Sequence, residues 1–148
     1  MLGFVQAADE NLVSWAYWMY KGYHDHTTTA QNETEGIFNS DGTIMELKKY
    51  ALSRSYVQKF QGYPLYMNFN DETKELTAKF YLNSSLEEGT VIYVNKELNY
   101  PNGYEVFVDS DEKDRVINFY INEYEDNYIN FYIHSDTNYN VNIRIVPK

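Results

Sequence analysis

Three groups of side chains in this sequence have the chemistry to act on something outside the chain. They are two tryptophans, a His-Asp-His run and several clustered carboxylates. Both tryptophans lie in the uncharged stretch Leu12 to Tyr20, Leu-Val-Ser-Trp-Ala-Tyr-Trp-Met-Tyr. Read as a strand, it sends Val13, Trp15, Tyr17 and Met19 to one face and Ser14, Ala16 and Trp18 to the other. One face is bulky throughout, whereas the other is small until it ends in an indole. That pattern suits the wall of a closed barrel whose mouth Trp18 roofs. Trp15, facing the other way, is expected against the outer helices.

His24, Asp25 and His26 offer three potential ligands within three residues. His24 and His26 share one face of an extended loop, but the motif holds no third ligand on that face, so a solvated or hydrogen-bonding loop is expected rather than a metal site. Asp109, Asp111 and Asp114 bring several oxygens together, and calcium would use them. The glycine and glutamate that an EF-hand loop needs at its sixth and twelfth positions are absent, so the run reads as a solvated turn. Glu35, in Glu35-Gly36-Ile37-Phe38, is the one carboxylate in a recognisable motif. No metal and no cofactor are expected.

The elements that position these residues change character near residue 62. After Leu12 to Tyr20 comes a polar loop, Lys21 to Asn32, and then the Asp41-Gly42 turn signal. Ile44, Leu47, Ala51 and Leu52 recur at helical spacing, so a helix is expected from Thr43 to about Phe60, with Thr43 as N-cap and Glu46 completing a capping box. Beyond Pro64, seven aromatic or β-branched runs follow: Leu65 to Phe69, Glu75 to Leu82, Thr90 to Val94, Tyr104 to Val108, Val116 to Ile121, Tyr128 to Ile133 and Val141 to Val146. Turn-forming clusters separate them, which predicts an antiparallel β-sandwich of about seven or eight strands. The expected fold is therefore mainly β, with residues 1–62 as a strand-loop-helix piece and residues 63–148 as the sandwich. The sandwich tyrosines fit half-buried strands and equally a glycan-binding face.

Composition narrows the partners. The net charge is -10, with 12 Lys and Arg scattered among 22 acidic residues, which argues against a nucleic-acid ligand. At 148 residues the chain suffices for one domain with a real core but is too short for a complete eight-stranded α/β barrel of about 250 residues. Cysteine is absent, which excludes disulfides and thiolate metal sites. No apolar run approaches the roughly 20 residues of a transmembrane helix, and no signal peptide is visible.

Ser14-Trp15-Ala16-Tyr17-Trp18 followed by Tyr20-Lys21 resembles the eighth barrel strand of glycoside hydrolase family 5. With a sandwich behind it, the order resembles the endoglycoceramidase branch of that family. There a Glu-Gly-Ile-Phe-type loop, a last barrel helix and an Arg-Pro-Tyr-type segment lead into a C-terminal sandwich. The matching residues are Glu35-Gly36-Ile37-Phe38, Leu47 to Ala51, and Arg54-Ser55-Tyr56 followed by Gln58 and Gly62, with Ser55 where the pattern has proline.

The resemblance implies that residues 1–62 are the last strand, loop and helix of a (β/α)8 barrel. It implies a parent enzyme that hydrolyses the glycan-ceramide bond of glycosphingolipids by double displacement, without a cofactor, and that works outside the cell or in lysosomes or other vesicles. Trp18 would be a platform under the sugar beside the cleaved bond, and Glu35 a substrate or loop contact. The two retaining glutamates, about 5 Å apart in such enzymes, would precede Met1, so this chain alone is expected to be inactive. Its uncovered barrel strand is expected to drive self-association. The alternative is a non-catalytic carbohydrate- or lipid-binding sandwich.

Overall fold

A computed structural model of the protein describes residues 2–18, 20, 36–39 and 41–148. Helix α1 (Leu2–Glu10) is the first element. It forms because Val5, Ala8 and Asp9 fall on one face and are all buried. It ends at Leu12, in the left-handed region (φ 54°), with the Val13 N–H donating to the Ala8 carbonyl and the Leu12 N–H to that of Asp9. This is a Schellman cap.

The cap turns the chain into residues 13–18, which run without regular structure. No strand is thus formed by the described residues of Leu12 to Tyr20, where one was expected. Strand composition does not suffice without a neighbour to take its backbone N–H and C=O groups, and no described strand lies beside it. Phe38 and Ile44 then form an isolated antiparallel bridge around the Asp41-Gly42 turn, with Gly42 at φ 85°.

Helix α2 covers only Glu46–Leu52, not Thr43 to Phe60. The Thr43 hydroxyl donates to the Asp41 carboxylate at 2.6 Å and leaves Met45 at the N-cap position without a side-chain cap. Leu47, expected on the buried face, is 85% exposed, while Ala51 is buried. The aromatic and β-branched pair Tyr56-Val57 favours extended backbone over helix, and Val57 enters the sandwich core.

Eight strands follow: β1 (Tyr56–Lys59), β2 (Gly62–Phe69), β3 (Leu76–Leu82), β4 (Thr90–Tyr93), β5 (Tyr104–Ser110), β6 (Asn118–Glu125), β7 (Tyr128–His134) and β8 (Asn140–Pro147). They form two antiparallel four-stranded sheets, in the orders β1-β4-β7-β6 and β2-β3-β8-β5. Alternation sets the register: Leu76, Ala78, Phe80 and Leu82 of β3 face Ile92, Ile129, Phe131 and Ile133 of the other sheet inside one core. Each fully buried Phe or Ile there contributes about 1.5–3 kcal/mol.

Gln61 fastens the two sheets together. Its side-chain Oε1 accepts from the Ile133 N–H at 3.0 Å, its Nε2 donates to the Ile133 carbonyl at 3.1 Å, and its backbone N–H donates to the Thr90 hydroxyl at 3.0 Å. Among the described residues no helix is long and apolar enough to cross a membrane.

Candidate functional site

The seam between the N-terminal segment and the sandwich is built on Arg54. This residue leaves α2 and is 3% exposed. Its Nε and one terminal nitrogen donate to Asp9 Oδ2 at 2.8 and 2.6 Å, and the other terminal nitrogen donates to Asp71 Oδ2 at 2.6 Å. The Phe69 carbonyl accepts a further bond at 2.6 Å, and the guanidinium lies 5.1 Å from the Phe69 ring centre. One cation thus joins α1, the exit of α2 and the β2–β3 turn. Burial pushes the Asp9 carboxyl above its usual range against the opposing pull of Arg54.

Ser55, where the resemblance has proline, is fully buried. Its hydroxyl oxygen accepts from the Asn95 N–H at 3.3 Å and the Asn99 side-chain amide at 3.4 Å. The serine therefore ties the chain entering β1 to the loop after β4. Burial pushes the neighbouring Tyr100 hydroxyl up to about 12.

Beside this clamp is a cavity of about 710 Å³, within the range of small-molecule sites. Trp15, Tyr56 and Tyr93 line it with aromatic rings, and Gln58 and Asn95 add polar side chains. Trp15 therefore faces a cavity bordered by the sandwich. The side chains can stack on a flat ligand and hydrogen-bond it, but they present no pair of carboxylates across a common space. The one buried carboxylate here, Asp9, is committed to Arg54.

Of the residues singled out in the sequence, Trp18 is described and is 69% exposed. It lies between residues that hold the loop motif. Tyr17 sits under the Lys48 ammonium at 5.7 Å, and the same lysine donates to the Gly36 carbonyl at 2.8 Å. Tyr20 meets Phe38 edge to face at 5.3 Å, and its carbonyl accepts from the Ile37 N–H at 3.3 Å. Helix α2 thus brings the aromatic stretch and Gly36-Ile37-Phe38 together. Glu35, His24, Asp25 and His26 lie outside the described residues.

Asp109 and Asp111 are engaged by the sheet: Asp111 accepts from Lys79 at 2.6 Å and Asn140 at 3.0 Å, and Asn142 bridges both aspartates at 2.7 and 3.1 Å. The Lys79 contact, with the asparagine bonds, holds the Asp111 carboxyl below its usual range. Among the described residues no group of three or more His, Asp or Glu is placed to hold a metal ion.

Sequence reasoning passed over Asp9. The signal was there in principle, as an acid at i+4 and i+1 from Val5 and Ala8 on an otherwise apolar helix face.

Comparison with known proteins gives a consistent neighbourhood. Residues 54–145, more than half of the chain, match the glycoside hydrolase family 5 C-terminal domain. An endoglycoceramidase of Cyanea nozakii is 27% identical over 109 residues, 73% of this chain and 22% of that protein. One of Hydra vulgaris is 30% identical over 115 residues, 76% of this chain and 21% of that protein. The chain thus spans about a fifth of the length of these relatives. Endo-glycoceramidase II from Rhodococcus sp., solved with a five-membered iminocyclitol, superposes with a TM-score of 0.69 at 16% identity over 99% of this chain and 29% of its own. At that identity the likeness is one of fold.

Proposed function

The chain belongs to the glycoside hydrolase family 5 C-terminal domain family, and from that premise we propose that it is the C-terminal part of an endoglycoceramidase-like glycosidase. The carrying observation is the unequal coverage: the relatives align with about three quarters of this chain but about a fifth of themselves. In this reading the N-terminal segment completes a barrel and the strands from β1 (Tyr56–Lys59) onward form its accessory sandwich, with Arg54 as the joint between them. The whole enzyme hydrolyses the glycan-ceramide bond by double displacement and needs no cofactor. The two retaining carboxylates belong to the part of the enzyme outside this span, so the chain alone does not turn over substrate.

Trp18 is the sugar platform, an exposed indole on which the apolar face of a pyranose stacks, and Glu35 is a substrate or loop contact. Alone, the chain associates through the aromatic stretch that carries Trp18 and Tyr20, which are 69% and 70% exposed.

A chimera tests this. The C-terminal fifth of the Cyanea nozakii endoglycoceramidase is replaced by this chain, and glycan release from a glycosphingolipid is measured. The chimera is active, Trp18→Ala in it lowers kcat/KM at least tenfold, and the chain alone releases nothing. Glycan release by the chain alone, or a folded but inactive chimera, overturns the proposal.

A further inference from the structure

The outward faces of the two sheets carry different chemistry. On β2-β3-β8-β5 the face is ionic: Lys79 pairs with Asp111 at 2.6 Å, and Arg144 lies over the Phe107 ring at 4.8 Å, 3.8 Å from Glu75. On β1-β4-β7-β6 it is aromatic and amide. None of the described outward side chains of β4, β6 and β7 is Asp, Glu, Lys or Arg, in a chain of net charge -10. Charge enters at the rim, where Lys59 pairs with Glu88.

The tyrosines of this face are arranged in two rows. Tyr56, Tyr93 and Tyr128 stand opposite one another across β1, β4 and β7, with neighbouring ring centres 5.2 and 5.3 Å apart. Four residues further along β7, roughly 13 Å away, Tyr132 stacks on Tyr120 of β6 at 4.7 Å and 13°. His134 stacks on the same ring at 5.3 Å. Gly89 supports this row from the other side, because a Cβ there would lie 2.8 Å from the Tyr132 ring. The order is thus Gly89, Tyr132, Tyr120 and then the open edge, since β6 is the outermost strand. Among the described residues both stacking partners of Tyr120 are on β7, and on the outermost strand the residue is 47% exposed. Between the rows lies the half-buried Asn130 amide, with Asn122 opposite it on β6.

We propose that this face binds a neutral oligosaccharide, with one pyranose against the Tyr120 ring and further units running along β7 over the asparagine amides. Described outward side chains that are uncharged on β4, β6 and β7, inside a strongly acidic protein, complement a ligand that is itself uncharged. Aromatic rings beside amide donors and acceptors match the apolar faces and hydroxyls of pyranoses. The separation of the rows calls for an oligosaccharide rather than a single sugar. The inference does not depend on the glycosidase reading, because Tyr120, Tyr132 and Asn130, on which it turns, all lie on β6 and β7.

The test is titration of the full chain with cellohexaose, read by calorimetry and by NMR of the tyrosine ring protons. Cellohexaose binds at least tenfold more tightly than glucose and shifts the Tyr120 and Tyr132 ring signals. Tyr120→Ala weakens it at least tenfold, Tyr120→Phe leaves it within threefold, and Tyr81→Ala on the opposite face leaves it unchanged. If Tyr120→Ala does not fold, the ring shifts in the unaltered chain and the Tyr120→Phe affinity decide the matter. No binding at millimolar cellohexaose, binding that leaves both ring signals unmoved, or binding to phosphatidylcholine vesicles in place of the sugar overturns the proposal.

Discussion

Arg54 and Asp9 meet inside the protein at 2.6 Å although 45 positions separate them in the chain. The contact is a buried ion pair between the first helix and the start of the sandwich, reinforced by Asp71 on the far side of the guanidinium. Its consequence is mechanical: α1 cannot leave the sandwich without uncovering a cation and a carboxylate that are both almost fully buried.

Removing the cation alone leaves Asp9 charged and unpaired. Arg54→Met should therefore cost about 3–5 kcal/mol at neutral pH, measured by urea unfolding. The cost has a pH signature. Burial already raises the Asp9 pKa, and loss of Arg54 raises it further. A group whose folded pKa exceeds its unfolded value near 3.9 destabilises in full above the folded pKa, and that penalty fades as pH falls toward the unfolded one. The stability gap between the native and Arg54→Met chains should narrow from pH 7 to pH 4.5, and a gap that widens would contradict this account.

Gln61 gives a second joint, between sheets rather than domains. Gln61→Ala removes the two side-chain bonds to Ile133 and leaves its buried N–H without an acceptor. The expected loss is about 3 kcal/mol. Hydrogen exchange should also show faster exchange at Ile133, with Ile143 in the middle of β8 affected only through the global loss. Unchanged protection at Ile133 would show that water replaces the amide.

The sandwich was legible because its signal is local. Alternation in Leu76, Ala78, Phe80 and Leu82 needs no knowledge of the partner strand, and the seven expected runs coincide with β2 to β8 to within a few residues. β1 was missed because Tyr56–Lys59 is short and adjoins a helical pattern, and its strand state is fixed by pairing with β4. The same dependence on a partner explains Leu12 to Tyr20, where the composition is right and no described strand lies alongside. Helix α1 was missed for another reason: Gly3 weakens the helical signal near its start, and the partner that buries Asp9 comes 45 residues later. The family motif was legible in Gly36-Ile37-Phe38 and Arg54, but the clamp and cavity around Arg54 exist only in three dimensions.

Trp15 and Trp18 should separate in fluorescence. Trp15 lines a cavity and is half-buried, whereas Trp18 is 69% exposed. In dilute solution acrylamide should quench Trp15→Phe, which reports Trp18, more strongly than Trp18→Phe, which reports Trp15. As the concentration rises, the self-association proposed above should appear as faster sedimentation together with protection of Trp18. Faster sedimentation without that protection would place the contact elsewhere on the chain.

Gly89 links packing to the tyrosine face. It immediately precedes β4, and a Cβ there would stand 2.6 Å from the Phe131 carbonyl oxygen and 2.8 Å from Cδ1 of Tyr132. The backbone contact cannot be relieved by a rotamer change, so Gly89→Ala must displace the β4–β7 ladder or the Tyr132 ring or both. Overpacking of this kind costs about 1–3 kcal/mol. Because Tyr120 leans on Tyr132 at 4.7 Å, a shifted Tyr132 also loses its stacked partner, and the ring-current shifts of Tyr120 should move toward solvent-exposed values. Thermal unfolding and tyrosine ring spectra of Gly89→Ala separate the two outcomes. Lower stability with intact Tyr120 shifts means that the ladder yields, and lower stability with altered shifts means that the ring yields. Stability equal to that of the native chain would mean that the glycine is not needed there.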